Sequence, residues 1–192
     1  MNLKTRDMIL VALFAALMAV GAMVKIFFPV IPFTFQPFFC AFAGILLGAR
    51  LGLMSQIVYI TIGLAGIPVF TEGGGLMYVL KPSFGYLLGF AAGAYVIGII
   101  SERLKVMNLK NALISVMSGL AVIYLIGVPY IYLIVKFYMN KASMNIMGAL
   151  SAGFFPFILK DLIMFVIVAV VAAQIVPILR RARLIPVAEQ KS

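Results

Sequence analysis

The sequence predicts an all-α integral membrane protein: one domain over residues 1–192, built as a bundle of six transmembrane helices with both termini cytoplasmic. Three observations lead there. The chain is 65% hydrophobic and 10% charged, with a mean hydropathy of +1.21, far from the balance of a water-soluble domain. Its apolar residues come in uncharged runs, several of them long enough to cross about 30 Å of hydrocarbon at about 1.5 Å per residue. Its basic residues sit between those runs, where they set topology rather than contact nucleic acid.

The first run, Met8 to Val24, follows Lys4 and Arg6 and resumes after Lys25 with Ile26, Phe27 and Phe28. It is too long for a secretory leader, so the sequence predicts a retained span over 8–28 with Lys25 snorkelling toward the surface. Ala12 and Ala16 form one small-xxx-small pair and Ala15 and Ala19 another, which allows close approach by a helix of the same bundle or of another subunit. Pro29, Pro32 and Pro37 then enforce an irregular connector. A short helix over 38–49 follows. Gly48-Ala49-Arg50-Leu51-Gly52 is a tight turn that reverses the chain, and 51–67 returns as the third span.

Between Gly63 and Phe90 the chain places Gly73, Gly74, Gly75, Pro68 and Pro82 among aromatics. A lipid-facing helix tolerates few of these, so the stretch is either an external hairpin or a loop folded over a bound molecule. The fourth span covers 83–100 and ends in the charged loop of Glu102, Arg103, Lys105 and Lys110. The fifth covers 111–135, with a bend at Pro129. Residues 142–159 are uncharged but rich in Ser, Asn and Gly, and read as a loop or partial helix buried against protein. The sixth span, 156–179, opens on Pro156 and closes on Arg180, Arg181 and Arg183.

Basic residues orient this path. Lys4, Arg6, Arg50, Arg103, Lys105, Lys110, Arg180, Arg181, Arg183 and Lys191 fall on one side, and Lys25, Lys81, Lys136 and Lys141 on the other. The richer side is cytoplasmic. The glycine-rich stretch, the proline connector and the loop near Lys141 therefore share the outer face.

Several chemistries are excluded by composition. With no His and the single Cys40, there is no His-containing or Cys-paired metal site, no Ser-His relay and no internal disulfide. No GxxxxGK loop is present. Uphill movement of a solute would therefore draw its energy from another subunit.

Asp161 is the only acid inside a predicted span, and an intramembrane carboxylate marks a functional site or an internal pair. Five residues beyond Pro156, it lies roughly 7.5 Å from the outer end of the helix. Neighbouring helical residues point about 100° apart, so Asp161 is expected to face inward while Lys160 snorkels. Around it the outer face offers Thr34, Gln36, Ser83, Asn140 and Asn145 as polar groups and Phe33, Phe35, Phe70, Tyr78, Phe84 and Tyr86 as aromatic walls. That mixture suits a small, partly polar molecule.

Three segments carry a resemblance. VIPFTFQPFFCAFAGILLGARLG over 30–52, GLAGIPVFTEGGG over 63–75 and KPSFGYLLGF over 81–90 closely resemble the BioY family, the biotin-binding S components of energy-coupling factor (ECF) transporters. The resemblance covers nearly the whole chain, from Thr5 to about Ile178. It implies the S-component fold, biotin capture from outside at the cell membrane, and coupling to a T subunit and two ATPases that hydrolyse ATP, so that this chain is itself neither an enzyme nor the carrier of a cofactor. It also implies that the alanine stripe Ala12, Ala15, Ala16 and Ala19 docks on the T subunit. The substrate-binding residues it points to are Asp161, Thr34, Gln36, Phe70, Gly73, Gly74, Tyr78, Ser83, Phe84, Tyr86 and Asn145, with Lys160 and Lys81 as further candidates. One departure stands out. The family's Pro-Gly-Asp-x-x-Lys pattern has Met164 here in place of its lysine and Lys160 in place of its glycine. Lys160, Lys81 and Asn145 are the candidates to substitute. Asp161 is expected to accept the ureido N–H groups of biotin, with the valerate turned toward Asn145 or Lys81. An S component for another vitamin, a membrane enzyme and a scaffold are the competing readings.

Overall fold

The computed structural model describes residues 4–26, 30–104, 106–140, 143–182 and 185. Phe27, Phe28, Lys105, Lys141, Arg183 and Lys191, used above for span and topology, lie outside them.

α1 (Thr5–Met23) carries Asp7 in its first turn, where a negative charge favours the helix dipole. Its buried residues Val11, Phe14, Ala15, Met18 and Ala22 recur at helical spacing. Val11 and Phe14 pack on Ala43, Leu47 and Leu51 of α2. The helix stops short of the expected residue 28, because Lys25–Ile26 (β1) pairs antiparallel with Phe33–Thr34 (β2) in a short ribbon. The Phe35 amide donates to the Gly21 carbonyl at 3.1 Å and fixes the ribbon to the end of α1.

α2 (Gln36–Leu64) is assigned as one helix, where the sequence predicts two spans. Gly48 breaks it with φ 80° and ψ −179°, a left-handed conformation open to glycine and costly for other residues. The two parts, 36–47 and 49–64, fold back on each other. A Cβ at Gly52 would fall 3.1 Å from the Ala43 carbonyl oxygen; nine residues of straight helix would separate the two by about 13 Å. Gln36 and Tyr59, twice as far out along the two arms, also meet, with Gln36 Nε2 donating to the Tyr59 hydroxyl at 2.9 Å. The reversal thus occurs where the glycine-arginine turn predicts it. Glu102 Oε1 stabilises it by accepting the Ala49 amide at 2.8 Å, one of the unpaired donors at the start of the returning helix.

α3 (Phe84–Arg103) packs between α2 and α4 (Leu109–Leu133). Asn108 caps α4 by accepting the Asn111 amide. Pro129 interrupts α4 from within, and a π turn, Ile134–Tyr138, continues it. The short α5 (Ile146–Gly153), inside the segment expected to be a loop or partial helix, leads into α6 (Phe155–Arg181). α6 rests on α4 and α2. Among the described residues, five helices are long and apolar enough to cross a membrane, with α2 counted once. Between such helices in lipid, packing and internal hydrogen bonds replace much of the hydrophobic driving force that operates in water.

Candidate functional site

Asp161 projects from α6 into the bundle and is 5% exposed. The Tyr124 hydroxyl on α4 donates to its Oδ2 at 2.6 Å. Oδ1 is buried and accepts no hydrogen bond. Lys160 Nζ lies 2.9 Å from it, within ion-pair distance, but the ammonium directs a hydrogen bond to the Thr34 carbonyl at 2.9 Å. One carboxylate oxygen is therefore held by a hydrogen bond and the other by an ion pair, with lone pairs left to accept a further donor.

Asp161 belongs to the lining of a cavity roofed by the ribbon and the glycine-rich stretch. Thr34, Gln36, Thr71, Tyr78, Ser83, Tyr86, Lys160 and Asp161 supply its polar lining, and Ile31, Pro32, Pro37, Leu87, Phe90 and Phe157 its apolar walls. The polar side chains are tied down. The Tyr59 hydroxyl, which receives Gln36 Nε2, donates in turn to the Val69 carbonyl at 3.0 Å. Thr71 Oγ1 and the Tyr78 hydroxyl are 2.7 Å apart, and Ser83 Oγ donates to Tyr78 at 3.2 Å. Burial raises the Tyr78 pKa above its ordinary value, against the opposing effect of the Ser83 and Thr71 hydrogen bonds. The phenol stays protonated at neutral pH. Tyr86 donates to the Gly153 carbonyl at 2.6 Å, joining α3 to the end of α5.

The cavity volume is about 40 Å³, enough for a few waters. A bicyclic ligand would have to displace part of the wall. The roof is the segment least built into the helices. Its Phe70 and Gly73 pair backbone to backbone, and the Gly75 amide donates to the Gly63 carbonyl at 2.7 Å. Gly74 packs so closely that a Cβ would fall 2.9 Å from that same carbonyl. Phe70 wedges beneath, edge-on to Tyr59 with centroids 5.4 Å apart and tilted against Tyr78 at 4.4 Å. A larger apolar groove of about 620 Å³ runs along α4, α5 and α6. It offers Tyr124 alone as a polar side chain, whose hydroxyl is already committed to Asp161.

Of the residues singled out in the sequence, Thr34, Gln36, Tyr78, Ser83, Tyr86, Lys160 and Asp161 come together around one cavity. Phe70, Gly73 and Gly74 build its roof from behind. Phe84 packs in the core near Tyr130, ring centroids 6.0 Å apart. Asn145 is exposed and caps α5, its Oδ1 accepting the Gly148 amide at 2.7 Å. Lys81 is engaged at the surface by Glu72. Neither of these two reaches the cavity. Two expected orientations are corrected. Lys160 does not snorkel outward: its flexible stem folds back so that the ammonium lies beside Asp161 and 5.2 Å from the centre of the Phe33 ring. Lys25 likewise turns inward and donates to the Thr71 carbonyl. The alanine pairs diverge, with Ala12 and Ala16 exposed, Ala15 buried and Ala19 partly buried. Sequence reasoning missed Thr71, Lys25 and Tyr124. A tyrosine at the middle of an apolar run was the one available signal for Tyr124.

Comparison with known proteins bears on the whole chain. The family model described as BioY family matches residues 1–181. A protein named probable biotin transporter BioY from Lysinibacillus sphaericus is 43% identical over 182 residues, covering 95% of this chain and 92% of its own. The biotin transporter BioY of Thermotoga maritima is 36% identical, covering 88% and 95%. A crystal structure of the S-component for biotin from an ECF-type ABC transporter matches the fold with a TM-score of 0.69 at 21% identity, over 92% of this chain and 95% of that one. The fold, the apolar spans and a match that runs nearly end to end agree: this chain is a multi-pass membrane protein belonging to the BioY family.

Proposed function

We infer that this chain is the substrate-binding S component of a biotin uptake system in the cell membrane: it captures biotin from outside and passes it on with an ECF T subunit and two ATPase subunits. Its relatives carry the name biotin transporter. The observation in the molecule that carries the reading is the buried carboxylate of Asp161 in the wall of the cavity, its Oδ1 ion-paired with Lys160 but accepting no hydrogen bond. A ureido group offers two N–H donors, and a buried, fixed acceptor suits them. Ring and chain carbons match the walls. The role is transport rather than catalysis.

Six crossings with cytoplasmic termini complete the reading, α2 contributing two through the Gly48 reversal. The first arm, 36–47, is about 18 Å long at helical rise and would span with the help of the connector above it. Ala12 and Ala16, exposed on one face of α1, are the proposed contact with the T subunit.

Equilibrium binding of radiolabelled biotin to the purified protein, in competition with other vitamins, tests the ligand. Saturable binding that unlabelled biotin displaces and other vitamins do not is expected. Displacement by a different vitamin would move the chain to a sibling S component, and no saturable binding would leave a scaffold.

A further inference from the structure

A ligand that puts N–H donors on Asp161 and ends in its own carboxylate must place that second negative charge away from the first. Asn145 and Lys81, the sequence-level choices, lie outside the cavity. Next to it, however, is a second chamber of about 140 Å³, which shares Thr34 and Lys160 with the first. Lys25 lines this chamber too, together with Phe33 and Phe35. The β ribbon sets Lys25 opposite Thr34. Its ammonium reaches the carbonyl of Thr71, a residue in the wall of the first chamber. From the other side, Lys160 Nζ reaches the Thr34 carbonyl and lies over Phe33. Two ammonium-bearing side chains thus flank the junction of the chambers, and no acid is among the residues lining the second.

We propose that the chamber between Lys25 and Lys160 is the carboxylate subsite, taking the acid end of the ligand whose polar head meets Asp161; this rests on the biotin-binding reading above. The chemistry fits at each step. An ammonium has three donors, so Lys160 can hold Thr34, face Asp161 and still meet a carboxylate. The partition also removes a conflict, because the cavity that holds Asp161 repels a second carboxylate at short range. Phe33, stacked on Phe157 of the first chamber with centroids 4.4 Å apart, offers an apolar surface for the chain between the two ends. In this subsite the lysine that the family pattern puts at residue 164 is replaced by Lys160, acting together with Lys25.

The test pairs protein charge against ligand charge. Biotin and its isosteric neutral amide are bound to the purified wild-type chain, to Lys25→Gln with Lys160→Gln, and to Lys25→Arg with Lys160→Arg. The wild type is expected to prefer the acid by about thirtyfold, the effect of charge-assisted contacts. The glutamine pair should bind acid and amide alike, whatever its absolute affinity, and the arginine pair should keep the preference. A wild type that binds acid and amide equally overturns the subsite without any variant, should the glutamine pair fail to fold. So does a folded glutamine pair that still prefers the acid, or loss of the preference in Lys81→Gln alone. If neither compound binds the wild type, the biotin reading itself has failed, an outcome distinct from acid and amide binding equally well.

Discussion

Asp161 is costly to bury, and the molecule answers that cost with a hydrogen bond on one oxygen and an ion pair on the other: Tyr124 serves Oδ2, and Oδ1, 2.9 Å from Lys160 Nζ, accepts no hydrogen bond. Asp161→Asn separates function from packing. The amide oxygen can still take the Tyr124 hydroxyl, so the helix pair α4–α6 keeps its link. The amide nitrogen then stands where Oδ1 was and opposes a ligand donor with a donor. We expect biotin affinity to fall by about 2 kcal/mol, roughly thirtyfold, with the protein still extractable as a folded species. Unchanged affinity in the binding assay would assign Asp161 to helix packing instead. Lys160 shows how far a residue-level rule reaches. The rule that helical neighbours diverge by about 100° holds for their Cα–Cβ directions, but four methylenes let the lysine ammonium return to its neighbour's carboxylate.

Elements assign the roles that residue type leaves open. In α1 the same residue, alanine, has two uses: Ala15 faces the bundle and Ala12 and Ala16 face out. An outward small-residue stripe lets a partner helix approach closely, and a large side chain there costs that approach without touching the cavity. Ala12→Trp and Ala16→Trp are expected to lose the T and ATPase subunits on co-purification while binding biotin as the wild type does. Variants that still co-purify and support uptake would show the stripe to be idle. In α2, by contrast, Gly48 has a geometric job. Its positive φ and the Glu102 contact at Ala49 turn what would be one long helix into a hairpin. This places Gln36 at the outer end of one arm, beside Tyr59 of the other and in the wall of the cavity.

At the scale of the whole molecule, the cavity lies at one end of the bundle and the Gly48 reversal at the other, where Arg180 Nη2 also donates to the Ser101 carbonyl at 3.2 Å. In the proposed topology of six crossings with cytoplasmic termini, the cavity end is external. Cys40 is fully buried, so introduced cysteines report topology against a low background. Glu72→Cys is expected to react with a membrane-impermeant maleimide on intact cells, and Arg50→Cys only after permeabilisation. The opposite pattern would invert the protein and place its binding site on the cytoplasmic face.

Composition and run length by themselves determined that this chain lives in a membrane, because burying so much apolar surface in a water-soluble form of this size is not possible. The Gly48–Gly52 turn was equally legible, since a glycine next to an arginine between two apolar runs has few other uses, and Asp161 was marked by its cost in lipid. What only the tertiary structure decided is which polar groups meet that acid. Thr71 and Tyr124 lie 53 residues apart in the chain, and no spacing rule connects them; the packing of α6 on α4 brings Tyr124 to the carboxylate, and the fold of the roof brings Thr71 into the wall of the cavity that Asp161 also lines. The same holds for Lys25 and Lys160. Long, flexible side chains take their direction from the nearest acceptor in three dimensions, here the backbone carbonyls of Thr71 and Thr34, and a sequence does not show where those carbonyls will be.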